Sequence, residues 1–232
     1  MRVQILSVLI AWMMVEAVLA EDWPQYRGPN RSDVSSEKGL MPKWPAGGPQ
    51  LLWTYKSAGI GYSGVAIVKD RLWTIGGRDD TEQLIALDIE KPAEGAVSEA
   101  LTAKIGPLFD WKGKQWSAGP ASTPTIDGAF TYALGGMGDL LCVQTTDGKE
   151  VWRKNLPRDL EAQVNPIGGG PKNIGWGFTW SPLVDGDKLI CLAGGPKGTV
   201  AALDKRTGEV LWRTLEVKDQ AAYASPMVAE ID

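Results

Sequence analysis

A hairpin of one design is written at least twice in this chain, and that repetition limits the possible folds more than any other feature. Its clearest copy is Ala202-Leu203-Asp204-Lys205-Arg206-Thr207-Gly208-Glu209-Val210-Leu211-Trp212, followed by Arg213. An apolar run ends at Leu203, Asp204 can bond its own backbone two residues on, and Gly208 accepts positive φ. Val210 to Trp212 then begins a return strand. Sixty residues earlier stands Cys142-Val143-Gln144-Thr145-Thr146-Asp147-Gly148-Lys149-Glu150-Val151-Trp152, followed by Arg153. A unit copied in register buries its apolar faces against its own copies.

Other markers keep step with the hairpin. Gly-Gly pairs close apolar strands at Gly76-Gly77, Gly135-Gly136 and Gly194-Gly195, with a spacing of 59 both times. Each pair follows a strand and turn, most clearly Thr125-Ile126-Asp127-Gly128 and Leu183-Val184-Asp185-Gly186, and precedes the strand that enters the hairpin. The unit therefore has four strands. Thr123-Pro124 returns as Ser181-Pro182 and Ser225-Pro226 at separations of 58 and 44, which sets a basic period of about 44 residues with inserts at 106–120 and 157–175. The first unit departs from the pattern. Ala86-Leu87-Asp88 opens its hairpin, but Ile89 to Ala100 reads as an insertion with Pro92 and no Trp, which places the fourth strand within Leu101 to Ile105.

Four short strands in a unit of this length describe a β-propeller blade. A sandwich explains strands and turns but gives no reason for Gly-Gly, Asp-Gly and Trp to recur in register. The expected fold is all-β, an incomplete ring of four-stranded antiparallel blades with flanking strands. The expected domains are a signal peptide at 1–20, a lead at 21–50 and a partial propeller at 51–232. Its blades fall near 62–106, 117–157 and 176–217, with the start of another at 223–232. Leu51 to Lys56 reads as a lone outer strand, and the stretch from Tyr223 to Asp232 repeats the first strand of a blade. Propellers close with roughly four to eight blades, so the expectation is an arc of a longer propeller that self-associates when isolated. The lead, Asp22-Trp23-Pro24-Gln25-Tyr26-Arg27-Gly28-Pro29-Asn30-Arg31, is polar and punctuated by Pro and Gly, and is expected on a surface.

Composition excludes several classes of function. The 232 residues include no histidine, which removes the commonest general base and metal ligand and every Ser-His or Cys-His pair. A net charge of -4 offers no basic field for nucleic acid. Met1-Arg2, the apolar run from Ile5 to Val15 and Val18-Leu19-Ala20 before Glu21 read as a signal peptide cleaved after Ala20. The apolar core is short for a membrane span and Glu16 interrupts it, so the expected product is periplasmic or secreted, with no transmembrane span after cleavage. Cys142 and Cys191 sit at apolar strand positions of different units and are expected to stay reduced.

At Ala202, Asp204, Thr207, Gly208 and Trp212 the chain resembles the pyrroloquinoline quinone (PQQ)-like β-propeller repeat, whose blades carry an Ala-x-Asp-x-x-x-Gly hairpin ending in Trp. Cys142, Gln144, Asp147, Gly148 and Trp152 match it with two departures. Trp23-Pro24-Gln25-Tyr26-Arg27-Gly28-Pro29-Asn30 looks like the start of exported bacterial members. The resemblance implies that Trp152 and Trp212 each dock against a neighbouring blade. The family holds both quinoprotein dehydrogenases, which bind the quinone with calcium, and cofactor-free scaffolds such as the outer-membrane assembly propeller. The dehydrogenases' adjacent cysteines and haem Cys-x-x-Cys-His have no match in this sequence.

Ala202, Asp204, Gly208, Trp212, Gly148 and Trp152 therefore read as structural repeat positions, and no catalytic, cofactor or metal residue is assigned. Asp79, Asp80 and Glu82 form the densest carboxylate group. Their spacing fits no calcium loop, so a solvated turn is favoured. Gly168-Gly169-Gly170 lacks the Lys-Ser/Thr of a phosphate loop and reads as a connector. Trp111 and Trp116 in one insert, and Trp176, Phe178 and Trp180 in the other, precede the channel-lining strands. Packing beneath the inserts is favoured for them over stacking on a sugar or flat cofactor. The expected function is a binding or assembly scaffold whose ligand or protein partner the residues do not name. The alternatives are a PQQ- and calcium-dependent alcohol or sugar dehydrogenase and a carbohydrate-binding propeller.

Overall fold

The computed structural model describes residues 20–93, 96–112 and 118–230. The expected signal peptide therefore lies, but for Ala20, outside the described residues. Twelve strands among these residues form three four-stranded antiparallel sheets. The first holds β1 (Ala66–Val68), β2 (Arg71–Arg78), β3 (Thr81–Ala93) and β4 (Ala96–Pro107). The second holds β5 (Thr125–Asp127), β6 (Phe130–Leu134), β7 (Asp139–Gln144) and β8 (Glu150–Asn155). The third holds β9 (Leu183–Asp185), β10 (Lys188–Leu192), β11 (Val200–Asp204) and β12 (Val210–Arg213). In each sheet the strands lie in chain order, so each sheet is one up-and-down blade, and the blades form an unclosed propeller arc. Among the described residues the helical elements are a short helix, α1 (Leu156–Leu160), and a 3-10 turn at Pro171–Asn173.

Period-2 alternation distributes the core. In β7, Leu141 and Val143 join Trp73, Ile75, Leu84 and Ala86 between the first and second blades. Leu140 and Cys142 join Leu189, Cys191, Ala201 and Leu203 between the second and third. The middle blade is buried on both faces, which is why its strands read as nearly continuous apolar runs. Both cysteines are buried free thiols, pushed up to about 12 by burial.

All three hairpins carry the same irregularity. The ladder steps from Ala86↔Leu101 to Leu87↔Glu99, from Cys142↔Trp152 to Val143↔Glu150, and from Ala202↔Trp212 to Leu203↔Val210. Ala100, Val151 and Leu211 are thus the extra residues of β-bulges at one repeat position. This register assigns Leu101 to the place that Trp152 and Trp212 hold in the other blades.

Four sequence expectations need correction. The stretch from Ile89 to Ala100 is no loop insertion, because β3 and β4 continue their pairing out to Ala93↔Ala96 and β4 extends well beyond Leu101 to Ile105. Leu51 to Lys56 forms no strand, and Leu51 and Leu52 are exposed. Within it, the Tyr55 hydroxyl donates to Glu99 Oε1 and accepts from Arg78 Nη2. Tyr223 to Glu230 is not a ladder strand either, although the Ser181 amide donates to Ser225 Oγ at 2.9 Å as the Thr123 amide does to Ser181 Oγ at 2.9 Å. The lead, finally, lies on the surface only in part, because residues 22–31 pack against the blades while residues 32–47 are exposed. Trp23 pairs with Ile67 of β1, the Ile126 amide of β5 donates to Pro24 O, and Arg31 is buried.

Candidate functional site

Meander topology gives the arc two ends. At the turn end lie the β1–β2, β5–β6 and β9–β10 turns and the hairpins of the opening motif. At the connector end lie the Gly-Gly pairs and the inserts between blades.

The turn end is where the repeat positions meet. Asp204 Oδ1 accepts the Arg206 and Thr207 amides at 2.8 and 2.9 Å, and these bonds hold its carboxyl below the usual carboxylate range. The Gly208 amide closes on Asp204 O at 2.8 Å with φ at 73°, and Gly148 repeats this on Gln144 O with φ at 74°. Ala202 is buried opposite Trp212. A Cβ on Gly208 would lie 2.8 Å from the Trp152 ring, and one on Gly148 would lie 3.1 Å from Leu101 Cδ1. Each turn glycine is therefore covered by the bulge-aimed outer-strand residue of the preceding blade, and at Gly208 the approach is too close for a Cβ unless the Trp152 ring shifts.

Trp152 is 8% exposed, and its Nε1 donates to Lys205 O at 3.0 Å, the same oxygen that takes the Tyr132 hydroxyl at 3.0 Å. Trp212 stands at the same repeat position but is 43% exposed, because no turn glycine among the described residues covers it. The arginines after the two tryptophans both reach backbone carbonyls of preceding segments. Arg153 donates to Ile105 O and Lys104 O of the first blade, and Arg213 to Leu160 O and Gly198 O.

The carboxylate group divides at the connector end. Asp79 and Asp80 are exposed and make the β2–β3 turn in left-handed conformations. Glu82 is fully buried, which corrects its expected place in a solvated turn. Its Oε1 accepts the Phe109 amide at 3.1 Å and its Oε2 accepts the Gly136 amide at 2.7 Å. Burial, against those two bonds, pushes its carboxyl up to about 7, and the neighbouring Asp139 charge adds to the rise. Counted back from Ala86, Cys142 and Ala202, the position of Glu82 is Gly138 in the second blade and Gly198 in the third. A Cβ on Gly138 would meet Pro157 Cδ at 2.7 Å and the Phe178 ring at 2.8 Å, so the second blade leaves no room for a side chain where the first buries a carboxylate.

Phe178 and Trp180 are core residues, 1% and 0% exposed, between the second and third blades. Trp111 and Trp176 are half-buried and meet edge to face, with centroids 5.3 Å apart and planes at 72°. Trp111 also covers Gly168, whose Cβ would lie 2.8 Å from its ring. Trp116 lies outside the described residues. A flat quinone with calcium needs an open stacking face and a set of oxygen ligands. The edge of one tryptophan covers a face of the other, and among the described residues no three acidic, Cys or His groups gather to hold a metal, so no residue here is assigned to that cofactor.

The family model described as outer membrane protein assembly factor BamB matches residues 95–232, more than half of the chain. The chain belongs to this PQQ-like propeller repeat family. No curated protein matches it. Among solved structures, quinohemoprotein alcohol dehydrogenase from Comamonas testosteroni is similar at 20% identity and a TM-score of 0.54, over 82% of this chain and 26% of that one. BamB from Moraxella catarrhalis is similar at 20% identity and a TM-score of 0.43, over 69% of this chain and 38% of that one. A europium-containing methanol dehydrogenase is similar at 18% identity and a TM-score of 0.49, over 70% of this chain and 26% of that one. The chain thus spans between about a quarter and two fifths of these structures' lengths. At such identities the likeness to the alcohol dehydrogenase shows the fold alone.

Proposed function

We propose that this chain is part of an exported propeller that acts as a binding or assembly scaffold for a protein partner, with no catalytic role for its own residues. The observation that carries the reading is the match of residues 95–232 to a family described as an outer membrane assembly factor. The use of polar groups supports it. The buried Glu82 carboxylate holds two backbone amides, Asp127 holds Lys205, and Arg153 and Arg213 hold carbonyls, so these groups join segments rather than face an open site. Export is supported by the basic start, the short apolar core and the Val18-Leu19-Ala20 ending. The connector end is the surface we assign to the partner, since its long inserts expose Ile167 and part of the Trp111–Trp176 pair.

The test is a photocrosslinker placed at Ile167 or, as a control, at Thr207 of the full chain in its native host, with N-terminal sequencing of the fractionated product. One discrete adduct from Ile167 alone, on a product beginning at Glu21, is expected. Dye-linked alcohol oxidation by the purified chain after addition of PQQ and calcium would overturn the scaffold reading in favour of a dehydrogenase.

A further inference from the structure

The lead is attached to the arc through the innermost strands of its blades. Its first contacts are those of an added strand: the Trp23 amide donates to Ile67 O at 2.7 Å, the Ile67 amide to Trp23 O at 2.8 Å, and the Ile126 amide to Pro24 O at 2.8 Å. These partners belong to β1 and β5, the innermost strands of two blades, and proline at position 24 sacrifices no donor in making them. Arg31 then forks across the arc. Its Nη2 donates to Pro182 O, just before β9, its Nη1 to Pro226 O at 2.7 Å, and its Nε to Gln25 Oε1 at 3.0 Å. Arg31 is 3% exposed, and these three acceptors are all neutral oxygens.

Within itself the lead is already folded. The Gly28, Arg31 and Asp33 amides close on Gln25 O, Gly28 O and Arg27 O at 3.0, 3.1 and 3.0 Å. Gln25 Nε2 donates to Pro29 O at 2.8 Å, and Arg27 pairs with Asp33. Arg27, Arg31 and Asp33 adopt left-handed φ of 63°, 52° and 57°, and the Trp23 ring covers Gly28. A segment ordered by its own bonds loses less freedom on docking. Its seat is not continuous packing. Clefts of about 660 and 350 Å³ run beside it, one against Asp70, Arg71 and Thr145, the other against Val184 and Gly186. Beyond it, residues 34–47 are exposed, with Ser36 Oγ donating to Glu21 Oε2 at 2.6 Å.

We propose that the innermost strands form a peptide-accepting groove along the axis, and that the chain's own Trp23–Asp33 segment is a detachable ligand seated in it, anchored by Trp23 and Arg31. While seated, the segment bonds to the innermost strands of the first two blades and to Pro182 just before the third. The recognition is strand addition, in which main-chain bonds hold a peptide and anchoring side chains select it.

A protease site inserted after Leu40 of the full chain tests this. After cutting, the amino-terminal fragment is expected to stay bound in gel filtration. A labelled peptide of residues 21–36 should then replace it, followed by fluorescence anisotropy. Peptides carrying Arg31→Ala or Trp23→Ala should compete at least about tenfold more weakly, as the loss of charge-assisted bonds or of a buried ring implies. Three results would overturn the proposal: loss of cooperative melting on cutting, which would make the lead an inseparable part of the fold; equal competition by the two substituted peptides; or retention of the fragment only in dimers, which would give the groove to a second copy.

Discussion

The two blade junctions bury similar apolar strands but are fastened by different side chains. Between the second and third blades the side-chain fastening gathers at the turn end, while at the connector end the Phe178 amide donates to Gly136 O at 2.9 Å. Trp152 lies over Gly208, two donors converge on Lys205 O, and Lys205 Nζ reaches Asp127 Oδ2 at 2.7 Å. Between the first and second blades Leu101 replaces the Trp, and Thr145 stands where Lys205 would be. Arg71 Nη1 supplies the turn carbonyls of Thr145 and Thr146 at 3.0 and 3.2 Å, and the cleft of about 660 Å³ remains open. This junction is held at the connector end as well, where the buried Glu82 joins Phe109 and Gly136. The difference teaches that the repeat preserves a close backbone approach, glycine under an outer-strand side chain, while the chemistry around it drifts.

Truncation should separate the junctions most strongly. Trp152→Ala is expected to lower the stability of the full chain by about 3 to 5 kcal/mol in denaturant unfolding, and Leu101→Ala by about 2 kcal/mol, since Leu101 is only partly buried. Trp212→Ala, at the same repeat position, should cost less than either in this chain. Equal losses at 152 and 212 would show that the exposed Trp is covered in solution.

The next effect belongs to the first junction alone. Glu82 has a carboxyl raised to about 7 in the folded chain, so it favours folding most when protonated. That contribution is complete below about pH 4.5 and is lost as pH rises through about 7, amounting to about 3 kcal/mol between the limits. Unfolding midpoints of the wild type and Glu82→Gln, compared from pH 4.5 to 8, should differ in slope, with the flatter profile in Glu82→Gln. Parallel profiles would remove Glu82 as the titrating group.

Smaller effects sharpen the turn-end contrast. Gly208→Ala should cost about 1 to 2 kcal/mol from its left-handed backbone and more from displacing the Trp152 ring. Gly148→Ala carries the same backbone cost, but its neighbour Leu101 is flexible, so calorimetry should place it as the milder change. Smallest is Lys205→Met. Its partner Asp127 has a side chain 35% exposed, so the pair is expected to contribute at most about 1 kcal/mol and to weaken with salt.

How much could be read beforehand depended on whether the signal was local. Gly-Gly, Asp-Gly and Trp recurring in register made the blades and the arc legible, and the structure bears out that fold. The bulges at Ala100, Val151 and Leu211 were not legible, because a bulge is a relation between two strands and leaves no residue type of its own. With the bulge known, Leu101 could have been aligned with Trp152 despite the long β3–β4 hairpin. Glu82 was misread because its neighbours Asp79 and Asp80 are turn residues, and only the placement of Phe109 and Gly136 supplies the amides that allow a carboxylate to be buried there. The lead was misread for a similar reason. Its Pro, Gly and charges describe an exposed loop unless carbonyls from distant strands receive Arg31.

The sequence by itself determined the unit: where strands alternate, where the chain must turn, and that one blade packs on the next, since periodicity and positive-φ glycines are local constraints on the backbone. The tertiary structure alone decided which side chains fasten each junction, which carboxylate is buried and where the lead lies. Those outcomes depend on burial and hydrogen-bond partners contributed by residues as far as 195 positions away, the separation of Arg31 from Pro226.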